Sequence, residues 1–248
     1  MLSLLAFTPQ LILSYPMLVP LHEQLLLLSE ADILEPLSEE ELVNFAKRNP
    51  DRRIQQGEFL YNQFDRAERL YIVKKGKIRI YKTNIDGDEI TLAIATAGDV
   101  FGEMAFTSQQ LREAHAMAIE PSMVVTLRRE DLRELILSRP EVGLRLIERL
   151  SERLRLREVQ LEDVTLKEVP ARLASLILRV LDSEGVRTSE GYKIATHYTH
   201  EQLGTMIGAR RVAVTRAFRV LRETGALEIR DRTIHVTSLE VLKKVAEQ

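Results

Sequence analysis

The stretch Thr199–Gly225 can bury its apolar residues in few ways, and the simplest is two helices folded across a tight turn. Leu203, Met206 and Ile207 recur at helical spacing and give the first helix one apolar face. Thr199 is placed to cap that helix, and Gln202, three residues on, to return a bond to the cap. Gly208 suits the turn, where a Cβ would strain the backbone. Val214, Phe218 and Leu221 form a stripe on the second helix that faces the first, and Gly225 is placed to end it. Arg210, Arg211, Arg216, Arg219 and Arg222 mostly lie off that stripe, five arginines in thirteen residues with no acid among them. A solvated surface helix usually mixes signs to gain i,i+4 pairs. A helix pair whose second member is uniformly basic fits the pattern that seats a recognition helix in the DNA major groove.

The charge balance agrees. The formal net charge is −2, but residues 170–248 hold 13 Lys/Arg against 9 Asp/Glu, and residues 1–169 hold 22 against 28. The positive excess sits where phosphate contacts need it. At 248 residues, with 45% hydrophobic and 29% charged residues, the chain has the length and balance of two water-soluble globular domains. There is no cysteine, which excludes disulfides, thiolate zinc sites, cysteine-ligated iron–sulfur clusters and thiol redox sensing, and is compatible with a cytoplasmic location. No nucleophile–base pair, metal-ligand cluster or phosphate-transfer loop is present, so no catalytic residue, metal or cofactor is expected. His115 would be the candidate axial ligand for a haem, but a lone strand histidine is more often packed. The N-terminal run is apolar, yet Pro9, Pro16 and Pro20 interrupt it and the first basic residue is Lys47. It therefore reads as an appended segment, or as a start site displaced from Met17, rather than a signal or membrane span.

Residues 1–50 are expected to form an extension and helical lead-in, broken at Pro36, with Leu25, Leu28, Leu34, Leu37, Leu42 and Phe45 as core positions. Ser38 followed by Glu39, Glu40 and Glu41 is a helix start. Over 51–139 the pattern changes to short strands, such as Leu70–Val73, Lys77–Tyr81, Thr91–Ile94 and Val124–Leu127, bounded by Gly57, Gly76, Gly87 and Gly98. That predicts a sandwich or barrel, closed by a short helix at Arg129–Leu137. Pro140 opens a long helix over 140–169, with Ile147, Leu150, Leu154, Leu161 and Val164 in an alternating three- and four-residue spacing and Arg157 in the same register. A heptad seam of this kind predicts a two-helix dimer. Pro170 begins a second domain, 170–248, with a helix at Ala171–Leu181, the basic helix pair, a hairpin turning at Asp231–Arg232, and a terminal helix capped by Ser238.

Glycine-punctuated strands, a long dimer helix and a C-terminal winged helix-turn-helix together resemble the bacterial cyclic-AMP receptor and FNR-type transcription regulators. The strand run YIVKKGKIRIYK, the turn IDGDE and the segment GDVFGEM at Gly98–Met104 carry the likeness in the first half. The resemblance implies an α+β fold, a double-stranded β-helix or jelly-roll sensor barrel, a homodimer, and double-stranded DNA and RNA polymerase as partners. It implies a phosphate-binding cassette at Gly102, Glu103, Met104, Arg112, Glu113 and Ala114, where Glu113 replaces the usual small hydroxyl residue. A carboxylate there repels a phosphate and would tend to neutralise Arg112. At the base end of the pocket the usual Thr-Ser pair is Arg157-Glu158. Both departures argue against cyclic AMP as the effector.

The nitrogen-control branch of that family is nearer. It shares an Arg-Val-x-Val-Thr-Arg recognition helix, matched by Arg211–Arg216, an arginine at the position of Arg112, and an Arg and Glu five residues apart, matched by Arg153 and Glu158. Two converging arginines suit a dicarboxylate such as 2-oxoglutarate. Equally, Arg112–Glu113 and Arg153–Glu158 could be internal ion pairs holding an effector-free active form. A cyclic-nucleotide-responsive regulator and a stand-alone ligand-binding signalling module are the other readings, though the second lacks any fused effector besides the DNA reader.

By the same resemblance Arg211 and Arg216 read bases, each able to grip guanine O6 and N7. Val212 stands between them where the cyclic-AMP receptors have a glutamate, so it can pack on a thymine methyl but cannot accept from cytosine. Thr199, Arg210, Thr215 and Arg219 are better placed for phosphates. The expected site is a palindrome whose half-sites contain G-T. Sequencing the DNA retained from a random pool tests this, and half-sites dominated by TGTGA would contradict it.

Overall fold

The structure, a computed structural model, describes residues 32–107, 111–189 and 191–248. The expectations for the N-terminal run, Leu25 and Leu28 lie outside them. A 3-10 turn at Asp32–Leu34 precedes α1 (Glu39–Arg48). Ser38 caps α1 in a reciprocal box, its hydroxyl accepting from the Glu41 N–H at 3.3 Å and its own N–H donating to the Glu41 carboxylate at 2.8 Å.

Strands β1 (Asp51–Ile54), β2 (Phe59–Tyr61), β3 (Arg69–Lys75), β4 (Ile78–Thr83), β5 (Glu89–Ala95), β6 (Val100–Phe101), β7 (His115–Ala118) and β8 (Ser122–Arg128) follow. They form two antiparallel sheets, ordered β1–β8–β3–β6 and β2–β7–β4–β5. Tyr71, Val73, Ile78, Phe101, Ala116 and Val124 share the core of this barrel. A second core joins Ile33, Leu34, Phe45, Leu70, Ile72, Leu127 and Leu132, so β3 is covered on both faces. That explains its unbroken apolar run, where a half-buried strand would alternate. Lys74 is fully buried within β3, and its ammonium donates to both oxygens of Asp51 at 3.0 and 2.9 Å. Pairing of this kind makes a buried charge tolerable.

The chain continues through α2 (Arg129–Ser138), α3 (Pro140–Leu166), α4 (Val169–Glu184), β9 (Gly185–Thr188), β10 (Gly191–Ile194), α5 (His200–Ile207), α6 (Arg211–Glu223), β11 (Leu227–Arg230), β12 (Thr233–Val236) and α7 (Leu239–Ala246). Along α3, Ile147, Leu154, Leu161 and Val164 are exposed in the single chain, whereas Leu150 and Arg157 are half-buried. α4 starts at Val169, one residue before Pro170, which a proline in the first turn permits, and runs on to Glu184. The expected hairpin β11–β12 is half of a four-stranded sheet, β11–β12–β10–β9, because β10 pairs with the free edge of β12.

The helix pair does not stand apart from the barrel. Lys77 donates to Glu184 at 2.8 Å and to Thr196 at 2.7 Å, and Tyr198 donates to the same Glu184 carboxylate at 2.5 Å. The hydroxyls of Thr91 on β5 and Thr205 on α5 lie 2.8 Å apart, and Arg79 reaches Thr205 at 3.3 Å. Burial alone would raise the Glu184 pKa, but bonds from Lys77, Thr196 and Tyr198 hold it below the ordinary value. The stabilisation is therefore present above the ordinary glutamate pKa and is lost as pH falls through the lowered one. Glu184→Leu strips Lys77 of its partner and should weaken this contact by about 1–3 kcal/mol. X-ray scattering at neutral pH should show a more extended particle than wild type, and an unchanged profile would contradict the contact.

Candidate DNA interface and sensor pocket

The helix pair is built as the residue spacing requires. The Thr199 hydroxyl accepts from the Gln202 N–H at 3.1 Å and the Gln202 side chain accepts from the Thr199 N–H at 2.8 Å, closing a capping box on α5. Gly208 turns the chain at φ 63. Val214, Phe218 and Leu221 are buried against Leu203 and Ile207, together with Ala217. That packing fixes the outward face of α6, on which Arg211, Val212, Thr215, Arg216 and Arg219 are all exposed and which Arg210 precedes.

These side chains are not equivalent. Arg219 donates to Glu223 at 2.7 Å, the acid just beyond the arginine run. No carboxylate lies within ion-pair distance of Arg210, Arg211 or Arg216 among the described residues. The Thr215 hydroxyl donates to the Arg211 carbonyl at 3.0 Å and lies 2.9 Å from His200 Nδ1, so its proton is already engaged inside the motif. His197 Nδ1 sits 2.7 Å from the Arg232 carbonyl, bracing the β11–β12 turn, whose Asp231 and Arg232 both hold positive φ.

The residues expected to form a sensor pocket divide into three groups. Leu111 to Ala118 alternate outward and inward, so Arg112 and Ala114 are buried while Glu113 is exposed. Arg112 donates to the Gly102 carbonyl at 2.9 Å and the Arg69 carbonyl at 2.6 Å, and its guanidinium lies 4.1 Å from the centre of the Tyr61 ring. Its Nε is buried without an acceptor. Gly102 has φ 90, and a Cβ there would come within 3.0 Å of both the Arg112 guanidinium and the Arg69 carbonyl. Met104 packs on the helix-covered core beside it.

Glu103, Arg153 and Arg157 line a separate cavity of about 360 Å³ between β5, α3 and α4. Arg153 donates to Glu103 at 3.1 Å and also to the Val100 carbonyl. Arg157 donates to Gln160 at 2.9 Å, and burial, then neighbouring Arg153, hold its pKa below the ordinary value.

Neither expected internal pair forms. Glu113 instead meets Lys82 at 3.2 Å, because adjacent side chains of an alternating segment leave on opposite sides. Glu158 is exposed, and five residues place it about 140° around the helix from Arg153, outside the i,i+3 and i,i+4 geometry that pairs side chains. His115 stacks on Tyr81 at 5.0 Å and accepts from the Gln63 N–H at 3.3 Å, as a packed histidine would. Residue spacing did not point to Lys77, Tyr61, Tyr71 or Glu184, whose roles arise only from tertiary contacts. His200 follows the Thr199 cap, and its place against Phe218 likewise arises from tertiary packing.

Among the described residues no helix is long and apolar enough to cross a membrane. Arg211→Ala should cost roughly 1–3 kcal/mol on cognate DNA and relax preference at one base. Arg219→Ala, whose guanidinium is shared with Glu223, should cost less and equally on all sequences. Anisotropy titrations on cognate and scrambled duplexes separate the two, and equal losses for both variants would contradict these roles.

The chain matches the cyclic nucleotide-binding domain family over residues 51–139 and the Crp-like helix-turn-helix domain family over residues 171–245. A cyclic AMP receptor protein of Thermus thermophilus is 31% identical over 191 residues, covering 77% of this chain and 85% of the relative. A global nitrogen regulator of Synechococcus elongatus is 27% identical over 186 residues, covering 74% and 84%. Among solved structures, a CooA mutant from Carboxydothermus hydrogenoformans has the same fold, with a TM-score of 0.75 at 23% identity over 87% of this chain and 95% of that one. The two family matches, with a relative at this identity and coverage, show that the chain belongs to the CRP/FNR family of DNA-binding transcription regulators, which are not enzymes.

Proposed function

We propose that this protein is a homodimeric transcription activator that binds a palindromic promoter site in the cytoplasm, engages RNA polymerase, and is not gated by cyclic AMP. The observation that carries the last point is the lock on Arg112. Two of its donors are held by backbone carbonyls, Tyr61 covers its face, and the nearest acid in sequence, Glu113, stands outside on Lys82. A cyclic phosphate would have to break those bonds and accept a carboxylate nearby. At the other end, Arg157 and Glu158 replace the hydroxyl pair that holds adenine in the cyclic-AMP receptors.

The exposed stripe of Ile147, Leu154, Leu161 and Val164 supports the dimer, since a heptad seam buries such residues against a second copy. Two recognition helices spaced about 34 Å apart then read two half-sites on one face of the duplex. The division into a sensor at 51–139, a coupling helix at 140–169 and a DNA reader at 170–248 follows from that reading. One observation favours a second possibility, a small anionic effector such as 2-oxoglutarate: Arg112 Nε is buried without an acceptor, and the cation has no carboxylate partner. One of the two relatives described above is a cyclic AMP receptor protein and the other a global nitrogen regulator, so kinship alone does not choose between effectors.

Calorimetric titration with cyclic AMP tests the proposal. Wild type should show no binding up to about 1 mM, a free energy weaker than about −4 kcal/mol. A triple variant, Glu113→Ser, Arg157→Thr and Glu158→Ser, should gain affinity. Micromolar binding by wild type would contradict the proposal, and a silent triple variant would show that another feature closes the pocket.

A further inference from the structure

His200 is the first residue of α5, directly after the Thr199 cap. Its ring stacks on the buried Phe218 ring of α6, with centroids 4.9 Å apart and planes at 19°. Its Nδ1 lies 2.9 Å from the Thr215 hydroxyl, which also lies 3.0 Å from the Arg211 carbonyl. With the hydroxyl proton assigned to the Arg211 carbonyl, Nδ1 carries a hydrogen and donates to Thr215. In the neutral ring this leaves a bare lone pair on Nε2, for which no partner exists among the described residues. Arg211 and Thr215, one turn apart, belong to the outward face of α6, so the imidazole borders the surface that meets DNA. The charged and titratable neighbours are Arg211 on α6 and, along its own segment, His197 and Glu201. Burial first, then Arg211, lower the His200 pKa in the free protein. The positive end of the α5 dipole acts in the same direction.

A phosphate oxygen arriving at the N-terminus of α5 would meet that lone pair and be repelled by it. Adding a proton to Nε2 turns the same atom into a charge-assisted donor. We infer that His200 is a proton-dependent phosphate contact, so that DNA binding by this protein takes up a proton at Nε2. Thr215 then acts as the post that fixes the ring, and the imidazole supplies the donor that the engaged hydroxyl cannot. A group whose pKa rises on binding makes affinity grow as pH falls through its bound value and level off below its free value. Because phosphates carry no sequence information, the effect is the same on every duplex.

The test uses the full-length protein and a labelled mixed-sequence duplex of about three helical turns, at fixed low salt, between about pH 6 and pH 8. Wild-type affinity should rise several-fold, up to about tenfold, as pH falls. His200→Gln should bind weakly and without this rise, and His200→Arg should bind tightly at every pH. Nuclear magnetic resonance of the His200 ring in the wild type gives a second readout that needs no variant, and its pKa should move up when DNA is added. A flat wild-type profile, a rise that persists in His200→Gln, or a ring pKa that stays put or falls on DNA addition would each overturn the inference.

Discussion

Burial of Val214, Ala217, Phe218 and Leu221 against Leu203 and Ile207 sets everything the DNA-binding half can do. The contact leaves α6 one rotational setting, and that setting turns Arg211, Val212 and Arg216 outward together. The capping box on α5 and the left-handed Gly208 fix where the pair begins and turns. His200, stacked on Phe218, is held by the same core. Recognition here is thus a consequence of apolar packing, with the cations carried on its far side.

The arginines differ chiefly in whether a carboxylate answers them. Arg153 is answered across elements by Glu103, and Arg219 within α6 by Glu223. Arg211 and Arg216 are unanswered and exposed, which suits a partner bearing phosphates. Arg112 is unanswered by any acid and buried, supported by two carbonyls and the faces of Tyr61 and Tyr71. A buried cation without an acid is costly unless hydrogen bonds surround it. The Lys77–Glu184 contact ties the barrel to the end of α4, and the Thr91–Thr205 contact ties β5 to α5.

Much of this was legible in the residues. Caps, turns and apolar stripes are local, so Thr199, Gly208, Phe218, Ser38 and Pro140 marked their elements within a residue or two. Strands such as β1, β6 and β9 were not legible, because segments of two to four residues carry no period. The division of the cassette was also hidden. That Arg112 points inward while Glu113 points outward depends on the phase of one alternating segment. That Arg153 meets Glu103 depends on how α3 lies over the barrel. Spacing on one helix suggested a partner for Arg153, and packing between elements supplied a different one.

The most direct measurement is the affinity of the purified protein for its selected palindrome at physiological salt, alone and with saturating cyclic AMP. Binding with a Kd on the order of 10 nM or tighter, unchanged by the nucleotide, is the expected result. Weak binding alone, tightened by orders of magnitude with cyclic AMP, would mean that Arg112 leaves its carbonyls for a phosphate and that the pocket is open after all.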